Sequence, residues 1–182
     1  WQDEGLARVP VAVNVSAMEF RQRDLVGEIK QVLADTGLDA QYLEIEITET
    51  TLMQQPEQAR TTLDELRALG VGVTVDDFGT GYSSLAYLKR YPLDKIKVDR
   101  SFVIDTPSDG EDVAIVTAIV QLARSLQLQS VAEGVETPEQ LGLLQRLGCE
   151  LAQGFGIAAP MDAGSAHAWL QMQPPAQTMT EA

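Results

Sequence analysis

The chain is poor in the side chains that do nucleophilic or soft-metal chemistry. Its single cysteine, Cys149, excludes an internal disulfide and a multi-cysteine zinc site. Its single histidine, His167, lies in a helical apolar–polar pattern near the C-terminus, where a structural role fits. Acid–base work therefore falls to Asp, Glu or Lys. Basic residues are also scarce, 13 Lys and Arg against 27 Asp and Glu, for a formal net charge of −14. That charge argues against a nucleic-acid polymer or an anionic membrane as partner of this segment. A phosphate ligand stays compatible with it, because bound metal ions invert the local field. No apolar run approaches the roughly 20 residues of a membrane helix. The expected location is cytoplasmic, and any membrane anchor would belong to other segments. There is no GxGxxG after a strand and no GxxxxGK[ST], so dinucleotide and P-loop readings fail. Asp77-Phe78-Gly79 matches the kinase metal triplet, but nothing else of the kinase set accompanies it.

What is present suits one α/β domain: 182 residues, 45% hydrophobic, with strand and helix patterns in alternation. Strands are predicted at Val11 to Val15, Tyr42 to Ile47, Val71 to Val75, Asp94 to Val98, Gln129 to Ala132 and Leu151 to Gln153. Helices are predicted from an Asp24 cap to Asp35 with Gly37 as the stop, and from Pro56 to a stop at Gly70. Others run from a Ser83 or Ser84 cap through Lys89, from Asp112 to Leu126, from Thr137-Pro138 to Gly148, and from Ala163 to Gln171. Short links between strands and helices imply a parallel sheet with right-handed crossovers. Residues 1–173 form the expected domain, and the Pro-rich polar stretch 174–182 a flexible tail.

The organising stretch is Val71 to Leu88, VGVTVDDFGTGYSSLAYL. An apolar strand delivers Asp76 and Asp77, and a glycine-hinged loop of Phe78, Gly79, Thr80, Gly81, Tyr82, Ser83 and Ser84 follows. Ligands of α/β proteins bind at the carboxyl ends of strands. Consecutive strand residues point in opposite directions, so the two aspartates are expected to serve two neighbouring ions, one shared and one private. A polar turn with two solvated acids reads this stretch equally well. Polar residues recur, however, at every strand end: Asn14, then Glu46 and Glu49, Asp76 and Asp77, Lys97, Glu133 and Glu136, and Gln153. In a barrel these ends share one mouth. Oxygen ligands without imidazole or thiolate suit Mg²⁺ or Mn²⁺, and two such ions can activate water and stabilise a leaving oxygen. The alternatives are a structural Lys97 paired to a carboxylate, and capping or turn roles for Glu136 and Gln153.

Six motifs, in order, carry a resemblance: VNVS (13–16), EITET (46–50), DDFGTGYSSL (76–85), PLDKIKVDRSFV (92–103), AEGVET (132–137) and QGF (153–155). The sequence resembles the EAL-domain family, the cyclic di-GMP phosphodiesterases of bacterial signalling. The resemblance implies a TIM-barrel-like fold and hydrolysis of one phosphodiester of cyclic di-GMP to linear pGpG. It implies Asn14, Glu46, Asp76, Asp77 and Glu133 as metal ligands, with Asp76 between two Mg²⁺ or Mn²⁺ ions, and Ca²⁺ as inhibitory. Lys97, Glu133 and Asp77 become the catalytic group, with Lys97 holding water or phosphate. Glu136 and Gln153 fall in the metal shell or substrate pocket. Glu49 becomes the anchor of the loop 78–84, which in the family couples the site to dimerisation. A homodimer and upstream GGDEF or sensory domains complete the implied partners.

The departures set two further expectations. No Glu-Ala-Leu tripeptide occurs, and Trp1 resembles the family tryptophan shortly before VNVS. Six strands are visible where a full barrel has eight and about 250 residues. The chain is therefore expected to lack the first strands, with the metal-binding glutamate of that tripeptide and a substrate-contacting arginine. Such an open sheet is expected to be marginal alone, or to pair or swap with a second copy. Ala159 stands before Pro160 where the family usually has Arg or Lys. Two other functions remain beside the phosphodiesterase. One is a module that binds cyclic di-GMP or a protein without hydrolysis, and the other is a different metal-dependent barrel enzyme.

Overall fold

Two strand sequences explain how the sheet presents itself. In Leu43–Thr48, LEIEIT, and Lys95–Val98, KIKV, apolar and polar residues alternate, so each strand has one apolar and one polar face. The computed structural model describes residues 1–6, 8–22, 24–81 and 85–172, and what the sequence leads one to expect of Tyr82, Ser83, Ser84 and the tail 174–182 lies outside them. The elements run β1 (Val11–Asn14), α1 (Ala17–Phe20), α2 (Leu25–Thr36), β2 (Leu43–Thr48), α3 (Glu49–Gln54), α4 (Pro56–Leu69) and β3 (Gly72–Phe78). They continue with α5 (Leu85–Leu88), β4 (Lys95–Val98), α6 (Arg100–Val103), α7 (Gly110–Ser125), β5 (Gln129–Ala132), α8 (Pro138–Leu147), β6 (Leu151–Ala152) and α9 (Ala163–Met172).

The six strands are all parallel and lie in sequence order, β1-β2-β3-β4-β5-β6. A doubly wound sheet reverses direction at a switch point. This one never does, and it curls into a half-barrel with the TIM-barrel-like progression expected. The outer face carries Ile45, Ile47, Val73, Val75, Ile96 and Val98, all buried against Leu52, Leu63 and Leu66 and against Val116, Val120 and Ala123 of α7. Each fully buried aliphatic side chain contributes about 1.5–3 kcal/mol, so this layer holds the fold. The sheet's two edges are different. Val11 and Val13 on β1 are 46% and 44% exposed, and Leu151 on β6 is 40% exposed.

Several boundaries differ from expectation for physical reasons. Helix α7 starts two residues before the expected Asp112 because Asp109 caps it, accepting from the backbone N–H groups of Glu111 and Asp112. Asp24 occupies the cap position of α2 but makes no side-chain capping bond. Strand β3 runs past Val75 through both aspartates to Phe78, which is a buried core residue and not part of a loop. Short helices α1, α3 and α6 follow strand ends directly, capped by Ser16, Thr48 and Asp99. His167 holds a structural position, its Nδ1 3.3 Å from Glu4 Oε2 and its Nε2 2.8 Å from Gln171.

Candidate functional site

The polar face of the sheet gathers the site. Register aligns Asn14 with Glu46, Glu46 with Thr74 and Thr48 with Asp76, so these residues share a face. Lys97 on β4 and Glu133 just beyond β5 complete the row. The expectation that Asp76 and Asp77 face opposite ways is overturned. The register of β3 against β4 shifts between Val75 and Phe78, and Asp77 adopts φ +53°. A bulge of this kind turns a side chain that would otherwise point away. Carboxylate oxygens of Asp76, Asp77 and Glu133 consequently lie within 4.8 Å of one another. Asp76 Oδ1 also accepts the Asp77 backbone N–H at 3.0 Å, which fixes the turn.

Lys97 stands in the middle, 3% exposed. Its Nζ lies 2.5 Å from Glu133 Oε1, 2.7 Å from Glu46 Oε2 and 3.1 Å from Asp76 Oδ1. Burial pulls the ammonium's pKa down, but its hydrogen bonds to Glu133 and Glu46 and the charges around it outweigh that and leave it raised. Lys97 is thus a fixed cation and hydrogen-bond donor, not a base. Two carboxyls of the cluster, Glu133 and Asp77, are held above the ordinary carboxylate range. Burial pushes Glu133 up, with Lys97 opposing. Burial, then the charges of Asp76 and Asp99, push Asp77 up.

Glu49, the residue expected to anchor the loop, meets the backbone just after β3. Glu49, 1% exposed, opens α3, and its Oε2 accepts the Gly79 N–H at 3.0 Å. Among the described residues its Oε1 has no partner, and it lies so close to Gly81 that a Cβ there would sit 2.8 Å away. Thr80 closes the turn with Oγ1 donating to the Asp77 carbonyl at 2.9 Å. Asn14 is exposed on β1 beside Glu46, and no side-chain hydrogen bond holds it among the described residues. Glu136 and Gln153 line a cleft with Arg100, Glu133 and Phe155 next to the cluster. Glu136 accepts from Arg100 Nη2 at 2.7 Å. The Arg100 stem reaches it by crossing Gly134, where an added Cβ would meet Arg100 Cγ at 2.2 Å and where φ is +70°. An all-oxygen donor set without thiolate or imidazole fits a hard divalent ion.

The model of the EAL domain matches residues 1–160 of the chain. The chain belongs to the EAL domain family. The cyclic di-GMP phosphodiesterase NbdA of Pseudomonas aeruginosa is 44% identical over 183 residues, which cover 98% of this chain and 23% of NbdA. The MucR phosphodiesterase of the same organism, solved as a c-di-GMP complex, superposes with a TM-score of 0.89 at 46% identity, over 91% of this chain and 67% of that one. Klebsiella pneumoniae BlrP1, solved as manganese and calcium complexes with cy-diGMP, gives TM-scores of 0.74 and 0.75 at 39% identity. These cover 80% and 81% of this chain and 38% of BlrP1. The chain spans about a quarter of the length of the curated relatives it matches. No described helix is long and apolar enough to cross a membrane.

Within this EAL domain the structure adds residues that strand-end reasoning missed. Glu44 and Lys95 form a second, part-buried ion pair on the same face, with Thr74 Oγ1 donating to Glu44. Their signal was the strict alternation of EIEIT and KIKV. Asp99 caps α6, and its carboxylate beside Asp77 helps to hold the Asp77 carboxyl above its ordinary value. Arg100 had no signal, since only Gly134 brings it to Glu136.

Proposed function

We propose that the chain is the core of a cyclic di-GMP phosphodiesterase that hydrolyses one phosphodiester bond to give linear pGpG. The observation that carries this reading is the meeting of Asp76, Asp77 and Glu133 oxygens beside the buried Lys97 ammonium at the sheet's carboxyl mouth. Asn14, Glu46, Asp76, Asp77 and Glu133 would hold two Mg²⁺ or Mn²⁺ ions, with Asp76 shared. Such ions supply an activated water and charge stabilisation for the phosphate and the leaving oxygen. The residues supply the rest. Lys97 donates to the phosphate or to the water and keeps four carboxylates compatible in one buried place. Asp77 or Glu133 takes the water's proton as its oxygen attacks phosphorus. The P–O bond to the ribose oxygen then breaks, and that oxygen leaves with the proton that the base took from water. Glu136 and Gln153 face the substrate, and Glu49, bonded to the Gly79 N–H, fixes the start of the loop that follows Phe78. The reading includes a cytoplasmic location, a homodimer, inhibition by Ca²⁺, GGDEF or sensory domains elsewhere in the protein, and an EAL unit over residues 1–173.

The test is turnover of cyclic di-GMP by the 182-residue chain with Mg²⁺ or Mn²⁺, products separated by chromatography, beside Asp76→Asn. Linear pGpG that disappears in the variant is the expected result. A second reading, binding without hydrolysis, is favoured by one observation: among the described residues a single group of three carboxylates converges closely enough to hold an ion. Calorimetric binding of cyclic di-GMP in Ca²⁺ with no turnover in Mg²⁺ or Mn²⁺ would assign that reading instead.

A further inference from the structure

One layer beneath the acid cluster, the same three strands repeat its pattern. Glu44 on β2, Thr74 on β3 and Lys95 on β4 stand two residues before Glu46, Asp76 and Lys97, and alternation puts them on the same face. In this lower layer every charge is answered. Lys95 Nζ donates to Glu44 Oε2 and Thr74 Oγ1 donates to Glu44 Oε1. Glu44 is 7% exposed, Thr74 is fully buried, and the Lys95 side chain is 19% exposed. The upper layer is unbalanced by contrast, with Glu46, Asp76, Asp77 and Glu133 around one ammonium. The lower layer also marks the last regular pairing of β3 with β4, Thr74 to Lys95 and Val75 to Ile96, before the bulge that presents Asp76 and Asp77.

We infer that Glu44 and Lys95 are a positioning pair for the cation site: each cancels the other's field beneath the carboxylates, and together they tie β2, β3 and β4 at the foot of the bulge. This rests on the reading that the cluster above binds divalent cations. Two residues along a strand is roughly 7 Å. At that distance an uncompensated unit charge changes the binding of a divalent ion by about tenfold, even with water-like screening. The sign depends on which partner is removed. Lys95→Met leaves the Glu44 carboxylate alone and tightens the site. Glu44→Gln leaves the Lys95 ammonium alone and weakens it. A pair that merely braced the strands would weaken binding in both variants, in step with lost stability.

The experiment is titration of the full chain with Mn²⁺, free ion being read by electron paramagnetic resonance, with thermal melts of each variant. The expected result is a Kd about tenfold lower for Lys95→Met and about tenfold higher for Glu44→Gln. The double variant and Lys95→Arg should stay within about threefold of the wild type, since both leave the layer neutral. Shifts in one direction for both single variants, or no shift in either, would overturn the inference while leaving the metal reading intact. A wild-type chain with no saturable Mn²⁺ binding would remove the metal reading, and the inference with it.

Discussion

The two faces of one sheet do opposite jobs with the same strands. On the outer face of β2, β3 and β4, Ile47, Val73, Val75, Ile96 and Val98 are essentially fully buried and need nothing but shape and apolarity. On the inner face, Glu44, Glu46, Thr74 and Lys97 are nearly as buried, yet every one is polar. Burying such groups is costly unless each finds a partner. The outer face therefore provides stability, and the inner face consumes part of it to hold charges in place. The difference shows where chemistry sits in this fold: on the face whose burial is hardest to justify by stability alone.

That contrast can be broken at Lys97. Lys97→Met would leave Glu46, Asp76 and Glu133 crowded without their cation, a loss of about 3–5 kcal/mol for a broken buried ion pair. Thermal melts should show it, and saturating Mn²⁺ should recover more stability in this variant than in the wild type, because the ion replaces the missing charge. On the outer face, Ile47→Ala should cost about 2–5 kcal/mol through lost burial and a cavity. Its folded fraction should nevertheless bind Mn²⁺ as the wild type does. Equal Mn²⁺ rescue of both variants would dissolve the distinction between the faces. The smallest effect sharpens it. Burial and neighbouring acids push Asp77 and Glu133 up from their ordinary 3.8 and 4.5, so their anions form only at higher pH than solvated carboxylates allow. Mn²⁺ affinity should therefore fall, as pH is lowered, at a pH above the ordinary carboxylate range. Asp77→Asn should move that limb downward by removing one raised acid and its repulsion.

Much of this arrangement was legible in the sequence because it depends on periodicity. Strands and helices in alternation with short links give the parallel sheet, alternation within LEIEIT and KIKV gives its two faces, and polar strand ends give Glu46, Asp76, Lys97 and Glu133. Helix stops at Gly37, Gly70 and Gly148 fell where expected. What stayed hidden depends on departures from periodicity or on long-range packing. The register shift in β3 has no pattern of its own, so strict alternation separated Asp76 and Asp77 when they in fact converge. Glu44 and Lys95 carried the alternating signal, but they stand in mid-strand, and attention to strand ends passed over them. Arg100 reaches Glu136 only because a residue 34 positions away has no side chain. The expectation of Glu49 as a loop anchor, by contrast, came from the family resemblance, and the structure adds its bond to the Gly79 N–H.

The left-handed backbone at Asp77 has a bearing on how variants of this chain are read. Among residues with a side chain, Asp and Asn enter that conformation most readily, while alanine resists it and β-branched residues resist it strongly. Position 77 is thus under two separate demands, one from the charge and one from the peptide geometry. An inactive alanine variant there would confuse the two, whereas asparagine removes the charge and keeps the bend. The same reasoning holds for natural variation: Asn at this position would report a lost ligand in an intact site, and Val or Ile a strand that no longer turns.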